Sequence, residues 1–432
     1  MTIRNIALFA AVGGLIIATG VLQGWNTALQ ILNMGLVSAI MALGVNLQWG
    51  LAGLLNVGVM GFVALGGLAV VLLAMPPVAE AWAAGGPRLI FALAVGVAAI
   101  AGGIALYRRL PAGRARAIGM VAFFLAAFLL FRGLLDPATL AVEAVDPAAT
   151  GYLGGLGLPV LLAWPVGGAL AAGAAWVIGK VALGLRSDYL AIATLGIAEI
   201  VIAVLKNEDW LARGVKNVNG IPRPVPYEVD LQGSAAFIET AAGLGADPVT
   251  ASAIVVKLCY TALILIVLAV LIWLAEKAAH SPWGRMMRAI RDNETAARAM
   301  GKDVTARHLQ VFVLGSAVCG IAGAMMTTLD GQLTPTSYQP LRFTFLIWVM
   351  VIVGGSGNNW GAILGGFLIW FLWVQVEPIG AALMGVITAP MADGYWLKEH
   401  LIRSVAYMRL ITMGGLLLLV MRFNPRGLIP GK

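Results

Sequence analysis

Charged residues are scarce in this sequence: Asp, Glu, Lys and Arg make up 11% of its 432 residues, against 60% that are hydrophobic. Even large soluble folds keep a polar skin, so a mean hydropathy of +0.92 excludes the water-soluble classes and points to lipid as the solvent. Cysteine is nearly absent too. Cys259 and Cys319 both lie in apolar runs, where they read as small core residues and not as a disulfide. The three histidines, His280, His308 and His400, show no metal-ligand spacing, so no metal site is expected. Lys180, Lys302 and Lys432 follow glycines, yet none completes a GxxxxGK(S/T) phosphate loop; HExxH, GxSxG and paired-cysteine motifs are also missing. These absences argue against a membrane enzyme. Any ATP-driven step would need its ATPase on a separate chain.

Glycine, by contrast, is abundant. The 54 glycines suit close approach of transmembrane helices, which lipid does not drive together by the hydrophobic effect. The formal charge of +8 does not mark a nucleic-acid binder, because the basic residues sit between apolar segments, as the positive-inside rule places them. The run from Ile6 to Leu22 behind Arg4 lacks a cleavage site before a polar region, so it reads as a first span and not as a signal sequence.

A transmembrane helix takes about 20 mostly apolar residues. Twelve segments qualify, near 5–23, 28–47, 53–74, 88–106, 117–135, 159–179, 188–205, 253–275, 308–329, 341–357, 361–376 and 401–421. The expected fold is therefore an all-α polytopic membrane bundle of about 10–12 transmembrane helices. Glycines interrupt 53–74 and 341–376, which predicts broken or re-entrant elements there. Starting with Arg4 inside, the basic loop Tyr107–Arg116, the loop with Lys180 and Arg186, the stretch 277–307 and the tail Arg422–Lys432 all fall inside. The stretch Asp136–Pro159, which has no Lys or Arg, and the slightly acidic connection 206–252 fall outside. Both termini are thus expected in the cytoplasm. In the last segment snorkelling accounts for Arg403, while Arg409 either faces the protein interior or marks a later start to the span.

The most informative loop is SPWGRMMRAIRDNETAARAMGKD, Ser281 to Asp303. On a helical wheel Trp283, Met286, Met287, Ile290, Ala297 and Met300 share one side; Arg285, Arg288, Arg291, Asp292, Arg298 and Lys302 share the other. Ser281 caps the start with Pro282 in the first turn, Asn293 begins a second short helix, and Gly301 ends it. Two readings fit this pattern. One is a basic amphipathic helix on anionic headgroups of the inner leaflet. The other is a short helix that docks into a groove on another protein, for which Glu294, the small residues 295–297 and Gly301 are better suited than for lipid.

This loop resembles the coupling loop of ABC importer permeases, with its Glu-x-Ala-Ala motif and a glycine four residues after the second alanine; the longer string resembles the branched-chain amino acid (LivM-like) permease family. QWGLAGLLNVGVMGFVALGG (48–67), LRSDYLAIATLGIAEIV (185–201) with VNGIPRP (218–224), and LTPTSYQPLRFTFLIWVMVIVGGSGNNWGAILGGFLI (333–369) with the terminal FNPRGL are similar to that family as well. The resemblance covers roughly residues 30–75 and 180–430. Residues 76–179 match it poorly, and much of 88–135 looks like an added helical hairpin. Leu55–Val59 stand where the family often has Ser-Leu-Gly-His, and Asn358 and Asn359 replace its usual small or threonine residues.

What the resemblance implies is a single permease domain over 1–432, with an external connection at 206–252 and a cytoplasmic coupling loop at 277–307. The coupling residues would be Ser281, Pro282, Gly284, Arg288, Arg291, Glu294, Ala296, Ala297 and Gly301, seated in a cleft of an ATPase subunit. It further implies a second homologous permease, two ATP-binding cassette subunits that carry ATP and Mg, an external substrate-binding protein, and a bacterial inner membrane. Branched-chain or other hydrophobic amino acids are the implied cargo, with urea or short amides second. An ion-coupled secondary transporter is the alternative from another class; it would need ion sites at midplane but no coupling loop.

For a substrate path, Glu199 stands out. It lies eleven residues beyond Asp188, roughly 16 Å along a helix, near the middle of a hydrocarbon core of about 30 Å. A carboxylate there serves either function or a hydrogen bond to a broken neighbour, through Asn56. Asn56 and Gly58 either form an unwound stretch on the path or allow close packing, and the same choice holds for Gly354 and Gly355. Asn219 and Gly220, in the outer connection, read either as a docking point for the binding protein or as an ordinary turn.

Overall fold

The computed structural model describes residues 3–185, 187–391 and 394–431, so Arg186 and Lys432 of the basic segments lie outside the described residues. Helices dominate. The one named sheet among the described residues pairs Val218–Asn219 with Gln332–Leu333, antiparallel. Among the described residues ten helices are long and apolar enough to cross a membrane, and the chain is a multi-pass membrane protein.

In order the helices are α1 (Ile3–Gln23), α2 (Trp25–Val45), the shorter α3 (Val59–Ala74), α4 (Ala79–Arg109), α5 (Arg114–Glu143), α6 (Ala163–Ala182) and α7 (Ser187–Asn207). Three short helices, α8 (Asp209–Ala212), α9 (Glu228–Gln232) and α10 (Ala235–Gly243), fill the connection to α11 (Pro248–His280). Then come α12 (Pro282–Asp292), α13 (Glu294–Ala299), α14 (Val304–Asp330), α15 (Pro340–Gly354), α16 (Asn359–Thr388), α17 (Trp396–Ser404) and α18 (Met408–Phe423).

The two segments expected to be broken are the two that are short. Helices α3 and α15 have 16 and 15 residues, about 24 and 22 Å of rise, less than a hydrocarbon core of about 30 Å. The missing length is non-helical chain around 53–58 and 355–358. Between α2 and the first break the helix loosens into a π-helical segment, Asn46–Leu51. The last span starts with α17, passes a 3-10 turn and resumes as α18; Arg409 pairs there with Glu377 of α16, both side chains partly exposed.

Helix α2 sits at the centre, with every residue from Gly35 to Val45 buried, as expected of a helix apolar on all sides. Helices α3, α6 and α14, of which α14 packs on α2, close on one another at glycine. A Cβ on Gly66 would lie 1.9 Å from the Gly320 carbonyl oxygen, and one on Gly320 would lie 2.6 Å from that of Gly167. Replacing Gly66 or Gly320 by leucine forces these backbones apart, a cost of about 1–3 kcal/mol by overpacking. A lowered thermal midpoint in detergent is the expected result; an unchanged one would show that the helices do not meet this closely.

Helices α4 and α5 form an antiparallel hairpin, longer at both ends than the expected segments and carrying Pro87 and Pro137 inside. Most of its side chains face outward, and its small core is Leu89, Ala92, Leu135 and Ala138. It is fastened to the bundle where Glu143 accepts from the Trp210 N–H at 3.2 Å and Leu153 N–H donates to the Trp210 carbonyl at 3.2 Å. Both chain ends meet at the opposite end of the bundle, where Arg4 donates to the Leu428 carbonyl.

Candidate functional site

Local capping builds the 281–303 element. The Ser281 hydroxyl accepts from the Gly284 N–H at 3.3 Å and Pro282 occupies the first turn of α12. Asn293 closes α12 and caps α13, accepting from the Ala296 N–H at 2.9 Å. Gly301, at φ +74°, lets Lys302 N–H reach the Ala297 carbonyl at 3.2 Å and its own N–H reach that of Arg298 at 2.9 Å, the two bonds of a Schellman end. Gly284 is needed for close approach, since a Cβ there would stand 2.3 Å from the Ala279 carbonyl oxygen.

The element lies with Met287, Ile290 and Ala297 buried against the bundle, while Glu294, Thr295, Ala296, Ala299 and Met300 face out. Met300 departs from the helical wheel: it is 79% exposed and not on the inward side. The wheel assumed one continuous helix, and the turn at Asn293 resets the phase. Two arginines expected on the solvated side also turn inward. Arg288 donates to the Ala279 carbonyl at 3.1 Å, and Arg291 donates to the Gly50 carbonyl at 2.7 Å. Beside the element a groove of about 830 Å³ runs between Lys180, Trp283 and Gln310.

Arg291 thereby grips the π-helical segment. Within that segment Gln48 is a hub: its side-chain N–H groups reach the Phe312 carbonyl at 3.0 Å and the Ser316 hydroxyl at 3.1 Å, and its oxygen accepts from Asn56 at 2.9 Å. Asn56 in turn holds the unwound chain, accepting from the Gly58 N–H at 2.9 Å, while its carbonyl accepts from Trp348 Nε1 at 3.1 Å. Asn46 reaches the second break, donating to Asn359 at 3.0 Å and accepting from the Gly357 N–H at 2.8 Å. Asn359 continues to Glu276, near the end of α11, at 3.0 Å. The 281–303 element, both helix breaks and the end of α11 therefore form one connected hydrogen-bonded unit. The residues missed by reading the sequence are Asn46, Gln48 and Trp348. Their signal was present, two amides within three residues at the end of an apolar run.

The residues offered for a substrate path do not converge. Asn56 is buried and Gly58 packs on the Thr194 carbonyl, where a Cβ would come within 2.2 Å. Glu199 is exposed on the surface of α7, not buried, and makes no hydrogen bond to Asn56; it lines an open groove of about 560 Å³ with Lys206 and Arg342. Both faces of a lipid-embedded helix are apolar, so its sequence carries no phase for inside and outside. Gly354 and Gly355 serve packing at the end that bears 281–303: the terminal tail is strapped there by Leu428 N–H to Val353 O at 2.9 Å and Ile429 N–H to Gly354 O at 2.8 Å. Asn219 and Gly220 lie at the other end, Asn219 paired with Gln332. Among the described residues no group of three or more His, Cys, Asp or Glu could hold a metal ion.

Apolar helices around two broken segments, with an outward-facing two-helix element wired to those breaks, define a multi-pass membrane protein whose buried polar network joins its helix breaks. Residues 137–421 match the family model described as branched-chain amino acid transport system / permease component, and the chain belongs to that family. The match takes in 137–179, part of the region that resembled the family poorly by sequence alone, and leaves out most of the hairpin. Among curated relatives, the high-affinity branched-chain amino acid transport system permease protein LivM of Escherichia coli is 29% identical over 67% of this chain and 61% of its own length. LivM of Salmonella typhimurium is 28% identical over the same shares, and the xylose transport system permease protein XylH of Escherichia coli is 23% identical over 56% of this chain and 54% of its own length. The chain thus spans about three fifths of the LivM relatives. No solved structure matches it.

Proposed function

We propose that this chain is the membrane-spanning subunit of an ATP-driven importer of branched-chain amino acids, coupled to separate ATPase subunits through 281–301. The observation that carries the reading is the coupling element itself, whose inner face is wired to the helix breaks while Ala296, Ala299 and Met300 stand free. An apolar side chain left 79% exposed at the tip of a short helix fits a protein groove. An inner-leaflet helix would instead present its apolar face to lipid; here that face is spent on the bundle.

In this reading the end bearing Arg4, 108–116, 281–303 and 424–431 is cytoplasmic, in agreement with its basic loops, and the chain sits in a bacterial inner membrane. A second homologous permease and two ATP-binding cassette subunits complete the importer, with ATP and Mg held by the latter, and an external binding protein delivers the cargo. Closure of the ATPase pair would move α12–α13, and the Arg291–Gly50 bond would pass that motion to Gln48 and Asn56. The direct test is capture of the tagged chain in mild detergent, with mass spectrometry of what accompanies it. ATPase subunits and a second permease are the expected companions. A chain that purifies alone and drives uptake into vesicles without ATP would replace this reading with an ion-coupled transporter.

A further inference from the structure

At the end of the bundle remote from the coupling element, a groove of about 490 Å³ opens between the start of α2 (Asn26, Gln30), Lys257 of α11 and Asp330 of α14. Through Met34, Asp330 and Trp370, which line both, it continues into a chamber of about 180 Å³ deeper in the bundle. Five methionines, Met34, Met41, Met60, Met326 and Met350, line that chamber together with Phe343, Leu346 and Ile347. Met60, Ile347 and Met350 of its lining lie within four residues of Asn56 or Trp348, members of the Gln48–Asn56–Trp348 network.

The polar groups at the mouth are of opposite sign and are not satisfied by each other. Lys257 Nζ donates to the Asn26 carbonyl at 3.0 Å and its side-chain oxygen at 3.4 Å, leaving donor capacity on its ammonium. Its backbone is pinned, because Asn33 donates to the Lys257 carbonyl at 3.0 Å and accepts from Thr261 at 2.7 Å. The Asp330 carboxylate has no hydrogen-bond or ion-pair partner among the described residues, although it lines both cavities. Trp370 Nε1 is likewise buried without a partner. A cation, an anion and a spare N–H around a mouth, with an apolar chamber behind, match one chemical class.

We propose that Lys257, Asp330 and Trp370 bind the zwitterionic head of an aliphatic α-amino acid, and that the methionine chamber receives its side chain. The ammonium goes to Asp330, and the carboxylate to Lys257 and the Trp370 N–H. A chamber of about 180 Å³ compares with an apolar cavity of about 150 Å³ that takes up benzene, room enough for a four-carbon side chain. Methionine adapts its shape, so leucine, isoleucine and valine fit alike. This assignment rests on the import reading above and adds the place where the cargo is held.

The test is photo-crosslinking of the complex in lipid vesicles with a diazirine analogue of leucine, mapped by peptide mass spectrometry. Label on the α14 and α15 peptides around Met326 and Met350, competed by leucine, is the expected result. Asp330→Asn and Lys257→Met should each lower that label roughly tenfold or more, the worth of a charged hydrogen bond, and Asp330→Glu and Lys257→Arg should restore much of it. ATP-driven leucine uptake by the same vesicles separates the two ideas. Uptake with label elsewhere, or with label that leucine does not compete, overturns the chamber and leaves the importer standing. Competed chamber label without ATP-driven uptake supports the site and removes the import reading.

Discussion

Replacing Ala296 by arginine is expected to abolish ATP-driven leucine uptake while the chain still inserts and folds. The Ala296 side chain is exposed at the outer face of α13, and arginine keeps the backbone N–H that Asn293 accepts from, so a folding defect is not anticipated. If this face seats in an ATPase groove, a long cation at its centre costs about 2 kcal/mol or more of docking, roughly thirtyfold in affinity. Met300→Asp should act alike, because Met300 is 79% exposed beside it. The neighbouring Ala297 makes a poorer probe: it is 9% exposed and packs inward, so arginine there would break the element before it tested any partner. Full uptake by Ala296→Arg, measured in vesicles holding the complete complex, would remove the coupling assignment.

The second large effect is expected at Gln48. Gln48→Leu keeps the volume but strips three hydrogen bonds, leaving the Asn56 amide and the Phe312 and Ser316 acceptors buried without their partner. Each orphaned polar group costs about 1–3 kcal/mol, so a clear drop in thermal midpoint should follow. More telling is the coupling. With the link between the π-helical segment and the unwound chain cut, ATP hydrolysis should continue while leucine moved per ATP falls several-fold. A variant with a lowered midpoint but an unchanged transport ratio would show that Gln48 holds the fold and transmits nothing.

Local chemistry was legible. Ser281, Pro282, Asn293 and Gly301 each act on groups within a few residues, so their capping roles could be read from spacing, and each is found in that role. The spans were legible for a similar reason, since the length of an apolar run is a property of the run. Glycine density at 53–74 and 341–376 marked the two broken elements, because unwound backbone needs residues that tolerate it. Facing was not legible. Glu199 and Met300 both point away from where the wheel or the depth argument placed them, the first because lipid tolerates apolar residues on either face, the second because one capped turn shifts the phase.

The same contrast divides the functional unit. Composition, the capped loop and the ordered blocks of resemblance determined by themselves that this is a multi-pass permease of the branched-chain amino acid family, since each depends on residues close together along the chain. Tertiary structure alone decided that Arg291 meets Gly50, that Gln48 meets Ser316, and that Lys257 and Asp330 share a mouth. Those partners lie tens to hundreds of positions apart, and apart from the amphipathic α12 the helices that carry them have no marked hydrophobic phase. In lipid it is backbone approach at glycine and the pairing of buried polar groups that set how helices turn toward each other.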